Sequence, residues 1–275
     1  MRTPLLFPSL LSLLFVPFPD VRSSDSANSM SACGAPRDAK SPVMTVWDAA
    51  KAALAATQAT AGSQEIMANV SRFDRTVSRD GKVLASQPLR EGAVPARHPY
   101  ITLMPEVVAK TGYVVDDSSQ VEYYAPDADI LLSAQFADSH CFDMQSPPSA
   151  HKEWVGLSFR PRDDRTGVKD IAGTFWLDRA TSELRQVDFR YTQVPPAYQA
   201  ANVGGNLWFA HLPSGLWLLK RWEIRMPQGQ VQSRIMLQHS QARDQLQVTI
   251  ESLRVAGGDV TSVTVGSEVI RLTPP

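Results

Sequence analysis

Apolar side chains recur at two different spacings along the chain, and the change of spacing separates a helical segment from a region of strands. Between Thr45 and Gly62 they recur every three or four residues, which predicts an amphipathic helix. Asp48 follows Thr45 at the spacing of a capping box, so we expect the helix to begin there. From Glu65 the spacing becomes two, starting with Ile66, and this alternation is typical of a half-buried strand.

Turn residues divide the next part of the chain into short elements. The dipeptide Asp80-Gly81 predicts a hairpin in which Lys82–Leu89 returns along the first strand. Two short helices are expected over Glu106–Lys110 and Pro126–Asp138, because each opens at a proline and carries apolar residues at helical spacing. A small hairpin is expected between them, over residues 113–124.

The second half of the chain repeats the alternation in a series of segments separated by turns. Consecutive antiparallel strands usually pair with their neighbours, so these segments predict a meander. The expected fold class is mainly β (α+β), a bent antiparallel sheet or half-open β-barrel meander with two covering helices, in a single domain over residues 44–275. A β-sandwich is the alternative. The predicted strands are Val155–Phe159, Ile171–Leu177, Glu183–Tyr191, Leu207–His211, Leu216–Ile224, Gln230–Leu237, Leu246–Val255 and Val260–Leu272.

The amino terminus carries the features of an export signal. Arg2 precedes an apolar run from Leu5 to Val16, which is about as long as a signal-peptide core and too short to span a bilayer. We therefore expect residues 1–22 to be a signal peptide and the polar residues 23–43 to be a linker. The protein is then exported, to the periplasm or to the outer membrane, with no transmembrane helix after the signal.

Charge and composition narrow the classes of partner. The 275 residues carry 27 Lys and Arg against 28 Asp and Glu, a net charge of −1, so no overall field attracts nucleic acid. The sequence contains no phosphate-binding or dinucleotide-binding glycine motif. We therefore expect neither a nucleic-acid partner nor a cofactor.

Two cysteines are enough for one disulfide and too few for a Cys-rich metal site. Export favours oxidation, so we expect Cys33 and Cys141 to be bonded, with a free structural thiol as the alternative. A third interpretation makes Cys141 a nucleophile, which requires a histidine base. His140 is adjacent, but neighbouring residues of a strand point to opposite faces, so His140 is unsuited to that role.

Histidines and carboxylates show no spacing typical of a metal or catalytic site. The histidines form neither an H-x-x-x-H nor an H-E-x-x-H motif. Asp116-Asp117 and Asp163-Asp164 lie in turn-like segments, where solvated loops account for them. We therefore predict no metal ligand and no catalytic residue, and a hydrolase with an unidentified active site is the alternative function. The five histidines are His98, His140, His151, His211 and His239.

Tryptophans gather in the predicted meander and give the main clue to function. The strand Leu216–Ile224 begins apolar in both phases of its alternation, so both of its faces need cover. Ordinary core, a second sheet, a partner, or an apolar ligand in a concave surface could supply that cover. The residues that we expect to bind such a ligand are Trp176, Trp208, Trp217 and Trp222.

Several motifs between residues 44 and 227 resemble those of a known group of proteins. They include Val46-Trp47-Asp48-Ala49-Ala50, Tyr123-Tyr124-Ala125-Pro126-Asp127, Trp176-Leu177-Asp178-Arg179 and Leu212-Pro213-Ser214-Gly215. These motifs resemble the carboxyl-terminal region of bacterial envelope proteins known as carboxypeptidase regulatory-like domain proteins. The resemblance implies no peptidase activity, because that name comes from an accessory domain. The regulatory-like module itself is a small β-sandwich, and we expect it to be absent before Val46.

The order of the predicted elements is also similar to that of periplasmic lipoprotein-carrier half-barrels. This second similarity concerns architecture, and it implies fold more than function. Taken together, the sequence predicts an exported envelope protein with a non-enzymatic binding role. Its partner is expected to be a lipid or another apolar ligand, or an envelope protein.

Overall fold

The structure of the protein is a computed structural model that describes residues 42–63, 66–116, 120–162, 165–212, 215, 217–238 and 241–272. Side chains are described in the same ranges except at 58, 60–63, 230–238 and 241–248. The predicted signal peptide 1–22 and Cys33 lie outside the described residues.

Five helices and thirteen strands make up the described part of the chain. The helices are α1 (Pro42–Ser63), α2 (Pro105–Thr111), α3 (Ala128–Leu132), α4 (Ala134–Ser139) and α5 (Pro196–Ala200). The first strands are β1 (Met67–Ser78), β2 (Val83–Ser86), β3 (Arg90–Pro95), β4 (Val114–Asp116), β5 (Val121–Tyr123) and β6 (His140–Gln145). The later strands are β7 (Trp154–Pro161), β8 (Ile171–Asp178), β9 (Leu184–Tyr191), β10 (Gly204–His211), β11 (Trp217–Gln238), β12 (Gln241–Val265) and β13 (Glu268–Arg271).

Eleven of these strands form one antiparallel sheet. Its order is β2-β1-β12-β11-β10-β9-β8-β7-β6, with β3 also paired to β1 and β13 to β12, while β4 and β5 form a separate two-stranded sheet. From β6 to β12 the chain runs as a meander, and β1 then joins it at the far side of β12. The sheet is bent and, in the part of the chain that is described, does not close, which confirms the predicted half-open meander.

Helix α1 covers one face of this sheet, which we call the inner face. Phe175, Val187, Leu207 and Trp222 are successive cross-strand partners on β8 to β11, and cross-strand partners share a face. The ring of Trp47 in α1 meets the edge of Phe175 at a centroid distance of 5.8 Å. The buried core therefore lies between α1 and this face.

The predicted helices differ from the observed ones at two places. Helix α1 begins at Pro42, three residues before the predicted cap Thr45, because proline is well accommodated in a first turn. The predicted helix Pro126–Asp138 is interrupted at Ser133, which has an extended backbone and accepts a hydrogen bond from Phe136 N at 3.1 Å. Ser133 thus caps α4, and the segment forms two short helices.

The long strands of the second half are more continuous than predicted. The expected strand Leu216–Ile224, apart from Leu216, which lies outside the described residues, and Gln230–Leu237 are parts of the 22-residue β11, and Leu246–Val255 lies within the 25-residue β12. The expected strand Val260–Leu272 is instead divided by a turn at Gly266 between β12 and β13. The register shift between Gln228 and Gly229 lets β11 stay paired with β12 through the region expected to be a break. β3, β6 and α5 were not predicted from the sequence.

Three of the bulges in the sheet change the spacing of buried residues on the inner face. Each places one extra residue in a strand, namely Arg185 in β9, Lys220 in β11 and Thr261 in β12. Buried inner-face residues that flank a bulge are therefore three positions apart instead of two. These pairs are Leu184 and Val187, Leu219 and Trp222, and Val260 and Val263.

The bulge at Lys220 settles how strand Leu216–Ile224 is covered. Leu219 and Trp222 both face inward, whereas Leu218 lies opposite Ala210 on the outer face and is nevertheless buried.

None of the helices in the described ranges combines the length and the hydropathy needed to cross a bilayer.

Candidate functional site

A groove opens on the inner face, in the region of β1, β11 and β12. Its volume is about 740 Å³, and its floor includes Trp222, Ile224 and Ala256. The opposite wall is the segment from His98 to Met104, which precedes α2, together with Pro105 at the start of that helix. The groove is therefore bounded by one side of the sheet and by an irregular segment, and both contribute mainly apolar side chains.

Small residues in β12 make room for the floor. Gly258 lies between Arg72 of β1 and Trp222 of β11 in the cross-strand register. A Cβ atom at Gly258 would come within 2.5 Å of the ring of Trp222, so the indole lies directly over this glycine. Ala256 occupies the next inner-face position. The depression thus results from two small residues, Gly258 and Ala256, beside the large flat side chain of Trp222.

The wall of the groove is fastened to the start of α3. Tyr100 donates from its hydroxyl to Pro126 O at 2.7 Å, and Thr102 donates to Ala125 O at the same distance. Burial, together with the nearby charge of Asp127, raises the pKa of the Tyr100 hydroxyl well above its ordinary value, so it stays a neutral donor. These bonds hold the segment in place although it has no regular secondary structure.

Two apolar side chains of the wall are exposed to solvent. Ile101 is 87% exposed and Met104 is 65% exposed, and both line the groove. Large exposed apolar side chains at the rim of a concave surface are typical of a binding site.

The acidic groups of the groove already have partners. Asp74 accepts from Arg254 Nε at 3.0 Å through both carboxylate oxygens. Arg97 donates to Asp129 at 3.1 Å. Asp127 accepts the N–H of Ile130 at 2.9 Å as the cap of α3.

The basic groups of the groove have fewer hydrogen-bond and ion-pair partners than the acidic groups. Arg72 is half-buried, and the one hydrogen bond that its side chain makes among the described residues is a long one from Nη2 to Pro99 O, at 3.5 Å. Arg90 also lines the groove and is exposed. The groove therefore offers positive charge more readily than negative charge.

One group of side chains at the groove has the geometry to hold a metal ion. Possible ligand atoms of His98, Asp127 and Asp129 all lie within 4.8 Å of one another. The two ring nitrogens of His98 face different carboxylates, at 3.4 Å from Asp127 and 3.7 Å from Asp129. Because Arg97 also pairs with Asp129, the arrangement equally fits a set of ion pairs. Sequence spacing could not reveal it, since His98 lies far from Asp127 along the chain.

Burial dominates the electrostatics at Asp127. It raises the pKa of this carboxyl group, and the Ile130 N–H and His98 only partly offset the effect. The aspartate is therefore valuable as a helix cap while its charge is costly in this position.

The four tryptophans predicted to bind a ligand are not gathered at one site. Trp222 lies in the groove. Trp176 and Trp208 are on the outer face, because they pair in register with Gln186 and with Arg221. Trp217 stacks on His211 at a centroid distance of 4.5 Å.

The outer-face tryptophans are engaged by neighbouring polar side chains. Trp176 donates from Nε1 to Asp188 at 2.6 Å, and Trp208 lies under the guanidinium of Arg221 at 5.4 Å. Asp188 also accepts from Asn206 at 2.5 Å. These contacts are internal to the sheet, so they account for the tryptophans without a ligand.

A chain of Ser139, His140 and Asp170 bears on the alternative of a hydrolase. Ser139 Oγ lies 3.0 Å from His140 Nδ1, and His140 Nε2 lies 3.4 Å from Asp170 Oδ1. Both ring nitrogens also face carbonyl oxygens, Phe136 O at 3.0 Å and Ile171 O at 3.1 Å. Phe136 O thus competes with Ser139 for Nδ1, and Ile171 O lies at least as close to Nε2 as Asp170 does.

The space beside this chain is also too small for a substrate. The adjoining cavity measures about 10 Å³, which is roughly the room needed by one water molecule. Asp170 is 1% exposed and contacts Arg165 Nε at 2.5 Å. Arg165 in turn donates to Ala109 O at 3.1 Å. The arrangement therefore fits a structural role in which β8 is linked to α2 and β6.

Opposing effects set the ionisation of Asp170. Burial raises the pKa of its carboxyl group, but hydrogen bonding and charge from His140, the N–H of Ile171 and the charge of Arg165 lower it further, so that it lies below its ordinary value. The buried carboxylate is thus held in its ionised form.

Only one of the two cysteines lies within the described residues. Cys141 is on β6 opposite Arg160, and its neighbour His140 points to the inner face, as the strand alternation required. Since Cys33 lies outside the described residues, the disulfide stays a prediction. Of the paired carboxylates, Asp117, Asp163 and Asp164 also lie outside.

Known proteins offer few points of comparison for this chain. No protein-family model matches the chain, and no curated protein matches it. Among solved structures, a DUF1329 family protein from Desulfovibrio piger is similar at 12% identity and a TM-score of 0.33, covering 80% of this chain and 92% of that chain. The resemblance to carboxypeptidase regulatory-like domain proteins stays a prediction.

Proposed function

We propose that the protein is an exported envelope protein that binds an apolar ligand in its inner-face groove and catalyses no reaction. The observation that carries this proposal is the groove itself, which is floored by Trp222 and lined by apolar side chains. Its volume of about 740 Å³ falls within the range of roughly 300–1,000 Å³ that is usual for small-molecule sites.

The position of the groove in the fold supports the same proposal. Its wall is anchored by hydrogen bonds of Tyr100 and Thr102 to other parts of the protein. A largely preformed site avoids part of the entropic cost of ordering loops on binding. Exposed Ile101 and Met104 would gain burial when the groove is filled.

An envelope protein is the second candidate occupant. Ile101 favours it, because a side chain that is 87% exposed can contact a partner without entering the groove. The export half of the proposal rests on the amino-terminal sequence, and cleavage of residues 1–22 in a bacterial host would test it separately.

A blocked groove tests ligand binding directly. Ala256→Trp places a large ring on the floor, whereas Ala93→Trp adds the same ring to an exposed position on the outer side of β3. We expect the neutral dye Nile red to bind the unmodified protein and the Ala93→Trp variant equally, and to bind Ala256→Trp at least about tenfold more weakly, a difference of about 1.4 kcal/mol. Equal binding to both variants, with unchanged circular dichroism, would refute the proposal.

A further inference from the structure

We propose that the ligand of the groove is a single acyl chain ending in a carboxylate, and that the guanidinium of Arg72 pairs with this carboxylate. The inference rests on the proposed function, since it specifies the chemistry of the ligand. It is carried by the placement of Arg72 and by the charges around it.

Arg72 stands in the floor of the groove. Its register partner is Gly258, whose partner on the other side is Trp222, so the arginine and the indole occupy one row of the inner face. Gly258 and Gly92 carry no side chain that could cover the guanidinium, and a Cβ atom at Gly92 would lie 3.7 Å from Nη1. The guanidinium thus has small residues toward β12, while its register partner on β3 is a second cation, Arg90.

The guanidinium has unused hydrogen-bonding capacity. Its one hydrogen bond among the described residues is the 3.5 Å bond from Nη2 to Pro99 O, whereas an arginine carries five N–H donors in a planar fork. A half-buried cation is costly when it lacks a counter-ion, and a carboxylate is the group that matches the fork in two parallel bonds.

The acidic residues nearby do not supply that counter-ion. Asp74 is paired with Arg254 and Asp129 with Arg97. Asp127 accepts the N–H of Ile130 as the cap of α3 and faces His98 at 3.4 Å. No ion pair of Arg72 occurs within the described ranges, so the charge complementarity of the groove favours an anionic head group.

The apolar part of the groove indicates the chemistry of the rest of the ligand. Trp222 lies in the same row of the inner face as Arg72. Ile224 and Ala256 lie in the next row, and Tyr100 faces Trp222 from the wall. A carboxylate at Arg72 therefore places the adjoining carbons against an apolar floor. A hydrocarbon chain matches this surface, because it needs no further polar partner.

Two ligands that differ only at the head group test the inference. Isothermal titration of dodecanoate and of dodecan-1-ol, both below their aggregation limits at pH 8, compares an anionic head group with a neutral one. We expect the unmodified protein to bind dodecanoate at least about tenfold more tightly. We expect Arg72→Met to abolish that preference by weakening dodecanoate, with dodecan-1-ol binding as before.

A matched control separates contact from general electrostatics. Arg190 is exposed on β9 and lies on the outer face, opposite Gly204. Arg190→Met makes the same change of net charge, and we expect it to leave the preference for dodecanoate unchanged. A fall in preference equal to that of Arg72→Met would overturn the role of Arg72.

The outcomes distinguish this inference from the proposed function. Binding of both ligands with equal affinity, or a preference that survives Arg72→Met, refutes the inference and leaves apolar binding intact. Failure of both ligands to bind the unmodified protein refutes the proposed function as well. Should Arg72→Met not fold, the comparison of the two ligands on the unmodified protein still decides whether the anionic head group is preferred.

Discussion

The ring of Tyr100 lies 5.2 Å from the ring of Trp222, with an interplanar angle of 38°. This contact joins an irregular segment to the centre of the sheet. The ring of Trp222 packs on Gly258, and the hydroxyl of Tyr100 donates a hydrogen bond to Pro126 O. The floor and the wall of the groove therefore depend on each other.

Two replacements of Tyr100 distinguish the contribution of its ring from that of its hydroxyl group. Tyr100→Phe keeps the ring and loses one hydrogen bond, so we expect a loss of about 0.5–1.5 kcal/mol in the free energy of unfolding and unchanged Nile red binding. Tyr100→Ala removes the wall over Trp222, and we expect binding to weaken about tenfold. Urea unfolding and dye titration measure the two effects. Equal dye binding by both variants would show that the ring does not form the site.

Adding a methyl group at Gly258 tests the packing beneath the indole. Because a Cβ atom there would lie 2.5 Å from the ring of Trp222 and 2.9 Å from Val70, we expect Gly258→Ala to lower the free energy of unfolding by about 1–3 kcal/mol. Gly92→Ala is the control, since its Cβ would meet only Arg72 at 3.7 Å. A cost at Gly92 as large as that at Gly258 would contradict the proposed packing.

The bulge at Lys220 predicts a difference between deletion and substitution. Lys220→Ala keeps the extra residue, and we expect the free energy of unfolding to change by no more than about 0.5 kcal/mol. Deleting Lys220 forces either Leu219 or Trp222 to the outer face, because a shift of one residue exchanges the faces. We expect a loss of more than about 3 kcal/mol or failure to fold, as measured by urea unfolding. A deletion variant of full stability would rule out the bulge.

Asp127 predicts a stability change that depends on pH. Its pKa is raised in the folded protein, so its contribution to stability is present at low pH and is lost as the pH rises through the folded value. Asparagine keeps the cap without the charge, and we expect Asp127→Asn to be at least as stable as the unmodified protein at pH 8. Asp127→Ala loses the cap at Ile130 N and is expected to cost about 1 kcal/mol. Equal losses in both variants at pH 8 would contradict this account.

Asp170 predicts the opposite dependence on pH. Its folded pKa is lowered, so its contribution is fully present above the unfolded pKa and is lost as the pH falls through the folded value. We expect Asp170→Asn to cost about 3–5 kcal/mol at pH 7, because His140 and Arg165 lose their buried partner. The cost should shrink on acidification below the ordinary aspartate pKa. Asp178→Asn, in a partly exposed ion pair with Arg185, keeps an oxygen for the N–H groups of Ala180 and Thr181 and should cost less than about 1 kcal/mol.

Local patterns identified most of the elements of the fold. The helix ended by Gly112, the hairpin of β4 and β5 and the first strand of the sheet were all expected from the sequence, and the structure confirms them. Errors arose where an element depended on distant partners. β3 is mostly exposed and carries little apolar alternation, yet it forms because the edge of β1 offers it a register from Met67 to Arg72.

The candidate site was predicted only in part. The sequence indicated apolar binding by the tryptophans of the meander, but of these four only Trp222 lines the groove. Arg72, Tyr100 and Ile101 were missed, since two of them come from a segment without periodicity. A spacing of three between apolar residues, as in Leu219 and Trp222, was the available signal for a bulge.

The sequence by itself determined most of the extended and helical segments and which side chains are apolar, because steric preference and alternation act between neighbours in the chain. Tertiary structure alone decided which face each apolar residue occupies and which residues meet. The extra residue Lys220 turns Trp222 inward, and the position of β12 between β1 and β11 brings Arg72 into the row of Trp222. Both outcomes depend on pairing between strands that are far apart in the chain, and local preferences do not determine such pairing.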